Sequence, residues 1–109
     1  MHDRDRFQAF SITCDNPADV NPVIRRLTDK YRLRKASHLS WALRHRHSDS
    51  IKEIKNDGGE TGAGNCILEI MRKKNSVNTL VLVARWFGGR HLGGLRFRIY
   101  RRLTTEILG

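Results

Sequence analysis

The chain is expected to fold as an α/β (α+β) two-layer sandwich, a small mixed sheet with helices packed mainly on one face. Three observations lead there. Segments with period-two alternation and segments with a 3.6-residue stripe follow one another as βαβ, a loop, then αβα. The one unbroken apolar run, Thr79-Leu80-Val81-Leu82-Val83-Ala84, has the composition of a strand covered on both faces. A length of 109 residues allows one domain, spanning 1–109, with a single modest core.

Each element has a local reason. Residues 6–14 alternate, which puts Phe10, Ile12 and Cys14 on one face of a first strand. Asp15-Asn16-Pro17 signals a turn and a helix entry, and Val20, Ile24, Leu27 and Tyr31 form the helical stripe that follows. With Asp19 as N-cap, Pro22 falls in the first turn, where its missing N–H costs little. In residues 38–45, Leu39, Trp41 and Leu43 alternate with His38, Ser40, Ala42 and Arg44, giving a half-buried second strand. Residues 46–62 are polar, with a short turn or strand around Ile51 and Ile54. Gly64-Asn65 opens a helix striped by Ala63, Ile67, Ile70 and Met71 and closed by Arg72, Lys73 and Lys74, cations that suit a helix C-terminus. The covered strand occupies 79–86. Beyond Gly93-Gly94, Phe97, Tyr100, Leu103 and Ile107 line one side of a last helix, and Arg98, Arg101 and Arg102 project from another. Helices gathered on one face would leave the other face of the sheet open.

The net charge of +10 is extreme for this length, and its placement narrows the function. From Ile70 to Thr105 there are nine Lys or Arg residues and no acid, and Arg25 to Arg46 holds eight more against Asp29 alone. One strongly positive face and a polyanion partner follow. No stretch of about 18 apolar residues occurs, and Met1-His2-Asp3-Arg4-Asp5-Arg6 lacks the apolar region of a secretory signal. The expectation is a cytoplasmic protein, monomeric when free, with no membrane contact. Cys14 and Cys66 form neither a disulfide framework nor a CxxC pair and read as reduced and packed.

Eight of the nine glycines lie in two segments that flank the apolar run, Asp57-Gly58-Gly59-Glu60-Thr61-Gly62-Ala63-Gly64 and Arg85-Trp86-Phe87-Gly88-Gly89-Arg90-His91-Leu92-Gly93-Gly94. Such clusters mark sharp turns or close backbone approach. These segments, their spacing and the strand between them resemble the IMPACT domain, shared by eukaryotic IMPACT/Yih-type and bacterial YigZ-type proteins. The matching motifs run from Asp57 through Gly64 and from Val81 through Gly89, with Leu92-Gly93, Arg96-Phe97 and, more weakly, Ala36-Ser37-His38. The motif positions carried over are Asp57, Gly59, Glu60, Gly64, Arg85, Trp86, Gly88, Gly89 and Gly93. Gly58 stands where the family usually has a second aspartate, Arg90-His91 replaces two aliphatics, and Gly94-Leu95 replaces a Pro-Asp of eukaryotic relatives. The resemblance implies a fold like the second domain of ribosomal protein S5 and a role in translational control. In eukaryotes that role restrains a starvation-sensing kinase of initiation factor two by competing for its ribosome-associated co-activator.

The residues suggest how a polyanion would be held. Arg85, Arg90, Arg96, Arg98, Arg101 and Arg102 are candidate phosphate contacts, with Lys73 and Lys74 nearby, because the guanidinium fork binds phosphate bidentately. Trp86, Phe87 or His91 would stack on an unpaired base, unless Trp86 and Phe87 are core at the strand end. Asp57 and Glu60 read as fixing the turn and capping the next helix, with metal or acid–base work as the alternative. The N–H groups of Gly62, Ala63 and Gly64 offer an anion site, but no Gly-Lys-Ser/Thr makes a nucleotide loop. His45 and His47 lack a spaced third metal ligand, and Cys66 reads as packing rather than a nucleophile with His38. The expected function is therefore a non-enzymatic, cofactor-free regulator of translation that binds the ribosome or its RNA, holding ribosomes idle under stress. The alternative is a protein-only module competing for a regulator of the initiation factor two kinase pathway. A hydrolase or isomerase using Asp57, Glu60 and His38 is the third reading.

Overall fold

The apolar run forms the strand around which the sheet is built. The computed structural model describes residues 5–89 and 91–109. In it, β1 (Arg6–Thr13), β2 (His38–His47), β3 (Ser50–Asn56) and β4 (Thr79–Trp86) lie in the spatial order β1-β4-β2-β3. The α+β class is as expected, but every pairing is antiparallel, so the sheet is not mixed. The reason is topological. β1 and β2 are joined by a helix and run the same way, yet β4 inserts between them and runs opposite to both.

Because β4 is apolar on both faces, each face needs a cover. α1 (Val20–Lys30) sets Val20, Val23 and Leu27 against Leu43, Leu80, Leu82 and Ala84. On the opposite face, α2 (Ala63–Lys73) and α3 (Leu95–Leu108) set Cys66, Ile67, Met71 and Tyr100 against Ala42, Val81 and Val83. Two of the three helices thus share a face, as predicted. The second face is not open, however, since α1 closes it over the central strands.

Local details follow the side chains. Asn16, rather than Asp19, caps the entry to α1: its Oδ1 accepts the Ala18 N–H at 3.0 Å at the head of a 3-10 turn, Pro17–Asp19. Pro22 lies in the first turn of α1, where it is tolerated. The polar region after β2 is a full hairpin rather than a loop, turning through Ser48 at φ 55°. β3 is a sheet edge, and the exposed Lys52 and Lys55 on it discourage pairing with another chain. Among the described residues, no helix is long and apolar enough to cross a membrane.

One turn is built on a close approach. Gly58 sits at φ 60°, and a Cβ there would lie 2.0 Å from the carbonyl oxygen of Leu39. The family's aspartate could not occupy this backbone position unless the turn moved away from β2. Gly58→Asp and Gly58→Ala are expected to destabilise the protein by about 3 kcal/mol, whereas Gly89→Ala, which meets no atom within 4 Å, should cost about 1 kcal/mol. Urea unfolding compares them; a Gly58→Asp variant as stable as the parent would contradict the packing of this turn.

Candidate nucleic-acid interface

The two glycine segments meet at a buried ion pair. Glu60, just before α2, and Arg85, near the end of β4, are 7% and 3% exposed. Arg85 Nη1 donates to both Glu60 carboxylate oxygens at 2.8 Å, and the Tyr100 hydroxyl donates to Oε1 at 2.7 Å from the middle of α3. Arg85 Nη2 donates to Asp5 Oδ2 at 3.1 Å, and Asp5 Oδ1 accepts the Gly88 N–H. Arg96 Nε lies 3.2 Å from Glu60 Oε2, and His38 Nε2 lies 3.9 Å from it.

The electrostatics follow from these contacts. Burial works against the Glu60 charge, but the bonds from Arg85 and Tyr100 prevail and hold its carboxyl below the usual range. Burial likewise opposes the Arg85 charge, which Glu60 and Asp5 more than restore. Burial, reinforced by the bond to Glu60, raises the Tyr100 phenol well above its ordinary value, so it stays a donor. Above this floor lies a cleft of about 320 Å³ lined by His38, Glu60, Arg85, Phe87, His91, Leu92, Gly93 and Arg96.

The two carboxylates of the first motif part company. Asp57 does cap α2, its Oδ1 accepting the Gly64 N–H at 2.8 Å and its Oδ2 the Gly62 N–H at 3.2 Å. These N–H groups, expected to offer an anion site, already hold the chain's own carboxylate. Glu60 is not a cap; it neutralises Arg85. Gly59, at φ 86°, lies against the His38 ring, and His38 Nδ1 is 3.0 Å from the Gly58 carbonyl oxygen.

The predicted phosphate contacts divide by their partners. Arg85 is buried and neutralised by Glu60 and Asp5, so it is not a surface phosphate contact; a strand-end arginine facing α3 is covered by that helix. Arg101 Nε lies 3.4 Å and Lys73 Nζ 3.8 Å from Glu69, and Lys74 Nζ donates to the Gly109 carbonyl. Arg98 and Arg102 are exposed and form no ion pair among the described residues. Arg96 reaches the cleft, His91 is exposed beside it, and Arg90 lies outside the described residues. Nor do the cations make one face: Arg25 and Arg26 sit on the α1 layer, opposite the layer of α3.

Trp86 packs in the α1-side core with the Arg6 guanidinium 4.3 Å from its ring centroid, whereas Phe87 is 46% exposed. Cys66 is buried, and burial pushes its thiol up, away from nucleophile chemistry. Among the described residues, no three His, Cys, Asp or Glu side chains gather to hold a metal. Sequence reasoning missed Asp5 and the Tyr100 hydroxyl as members of the site. Tyr100 appears in the sequence only as part of an apolar stripe, and nothing local links Asp5 to Arg85.

A sheet with a two-helix layer, its glycine turns joined by a buried Glu–Arg pair, defines a class already suggested by the motifs. The chain belongs to the Impact N-terminal domain family, whose pattern matches residues 3–108. It is 37% identical over 106 residues to an IMPACT homolog of Caenorhabditis elegans and 32% identical over 102 residues to that of Saccharomyces cerevisiae. These alignments cover 94% and 92% of this chain and 41% and 40% of those proteins, so the chain spans about two fifths of their length. Among solved structures, the two-domain translational regulator Yih1 is 30% identical with a TM-score of 0.63, over 96% of this chain and 42% of that one. A hypothetical protein at 21% identity shares the fold with a TM-score of 0.85, over 97% of this chain and 52% of that one.

Removing one partner of the buried pair exposes its weight. Glu60→Gln leaves the Arg85 charge buried without its main counter-ion and is expected to cost about 3 kcal/mol at neutral pH. The lowered Glu60 pKa sets a pH window: the stability it adds is complete above the unfolded value near 4.5 and is lost as pH falls through the lower folded value. Glu53, held down mainly by its hydrogen bond from Arg72, acts with the same sign. Denaturation between neutral pH and the acid range should therefore give a shallower acid loss in Glu60→Gln than in the parent. Equal slopes would remove Glu60 as the responsible group.

Proposed function

We propose that the chain is a translation-control module that attaches to the ribosome or its RNA along the outer side of α3. The observation that carries this is the pair Arg98 and Arg102, one helical turn apart, exposed and without an ion pair among the described residues, on a chain of net charge +10. α3 spans Leu95–Leu108, about 20 Å, with Arg96 near its cleft end and Lys74 beside Gly109 past its other end, so a phosphodiester strand laid along it passes Arg98 and Arg102 between them. The description of Yih1 as a translational regulator supports the translational setting. A module that covers ribosomal RNA would hold ribosomes idle under stress.

The role is binding rather than turnover. Both oxygens of Glu60 are occupied by donors, which supports a binding role over one for Glu60 as a free acid or base. The site is cytoplasmic in this reading, with no cofactor, and the free protein is a monomer. A protein-only module that occupies a regulator of the kinase pathway is the competing outcome.

Arg98→Glu combined with Arg102→Glu is expected to abolish co-sedimentation with ribosomes. Each arginine removed should flatten the log–log salt dependence of RNA affinity by about 1. Persistent co-sedimentation of the double variant would exclude α3 as the contact. Loss of RNA binding with nuclease-resistant capture of an acidic protein would favour the competing outcome.

A further inference from the structure

We infer that the cleft above Glu60 and Arg85 receives one unpaired nucleotide of a single-stranded RNA, its phosphodiester on Arg96 and its base against Phe87 and His91. This rests on the RNA reading above and names the contact by which single strands are selected.

The arginine donors at the cleft point to the ligand. Among the described residues, the two buried side-chain polar atoms without a hydrogen-bond partner are Arg85 Nε and Arg96 Nε, and both residues line this cleft. Both atoms are closed to solvent, and Arg96 Nη1 donates to the Gly93 carbonyl oxygen, so the donor within reach of a ligand is Arg96 Nη2. The cleft's own acceptors are committed. Glu60 takes Arg85 Nη1 on both oxygens and Tyr100 on one, and Asp5 takes Gly88 and Arg85 Nη2. Arg96 Nε, although 3.2 Å from Glu60 Oε2, is misaligned for a hydrogen bond.

Charge selects the kind of acceptor. Asp5 and Glu60 balance Arg85 and Arg96, so the site has an open donor in Arg96 Nη2 but no surplus of full positive charge. A singly charged phosphodiester suits it better than a terminal phosphate carrying nearly two charges. The aromatic lip selects the rest of the ligand. Phe87, 46% exposed, lies with its ring centroid 5.7 Å from that of His91, and base stacking on such a ring tolerates any base. A volume near 320 Å³ falls at the small end of ligand sites and fits one nucleotide rather than a base pair. The strand has room to enter, since a Cβ at Gly89 or Gly93 would meet nothing within 4 Å.

The test is fluorescence anisotropy of the whole chain with a labelled oligouridine and with a hairpin duplex RNA, thermal melting serving as a control for folding. Phe87→Ala should weaken oligouridine binding about tenfold and leave duplex binding unchanged, Phe87→Tyr should restore it, and Arg96→Gln should weaken the single strand selectively. Oligouridine affinity unchanged by Phe87→Ala and Arg96→Gln, but lost in the Arg98→Glu, Arg102→Glu variant, would overturn the cleft assignment and leave the α3 reading standing. The reverse pattern would support the cleft and remove α3. A parent protein that binds neither RNA would overturn both, and uridine monophosphate binding as tightly as the strand would overturn the phosphodiester assignment.

Discussion

The buried pair of Glu60 and Arg85 is the constraint on which the rest of this structure depends. Arg85 stands at the end of the central strand, on the face that carries α2 and α3, where an unpaired guanidinium would be costly. Glu60 is delivered by the glycine turn that precedes α2, and Tyr100 and Arg96 come to the same carboxylate from α3. Asp5 reaches Arg85 from the chain's beginning and, through the Gly88 N–H, ties down the second glycine segment. One set of charge-assisted bonds therefore joins both glycine turns, the end of β4 and the last helix. The cleft is the space left above it.

That arrangement changes what the positive charge means. A chain with a net charge of +10 is attracted to polyanions wherever its cations lie, but contacts need side chains that are exposed and uncommitted. Arg85 is used inside the molecule, and Arg101 and Lys73 share Glu69. Arg98 and Arg102 stay exposed on α3, while Arg96, held by Glu60 and the Gly93 carbonyl, keeps only Nη2 for the cleft. Arginine count is thus a poor guide to the interface, and partner bookkeeping is a better one. The spread of cations over the α1 and α3 layers further separates long-range attraction from local recognition.

Much of the fold was legible because its elements bury apolar residues with a clear period. The run 79–84, the alternation of β2 and the inner parts of the α1 and α3 stripes repeat at the spacing their backbone imposes, whereas Tyr31 and Ile107 at the stripe ends are exposed and Val23 joins the buried face of α1. In the sequence β3 shows only as a short turn or strand because Ile51 and Ile54 are three apart, which is out of phase with a strand, and the edge position leaves both its faces wet. The Asp57 cap was visible from its place before a helix; the Glu60 role was not, since its partner lies 25 residues away.

By itself the sequence determined the family, the glycine turns, the nature of each helix and of the central strand, and the excess of positive charge, because these rest on local backbone preference and short-range periodicity. Tertiary structure alone decided that β4 would part β1 from β2 and make the sheet antiparallel, and that α1 would close the second face. It also decided which arginine is an internal counter-ion and which faces solvent. Those outcomes depend on which distant groups meet when both faces of one strand must be covered, and no local pattern records such meetings.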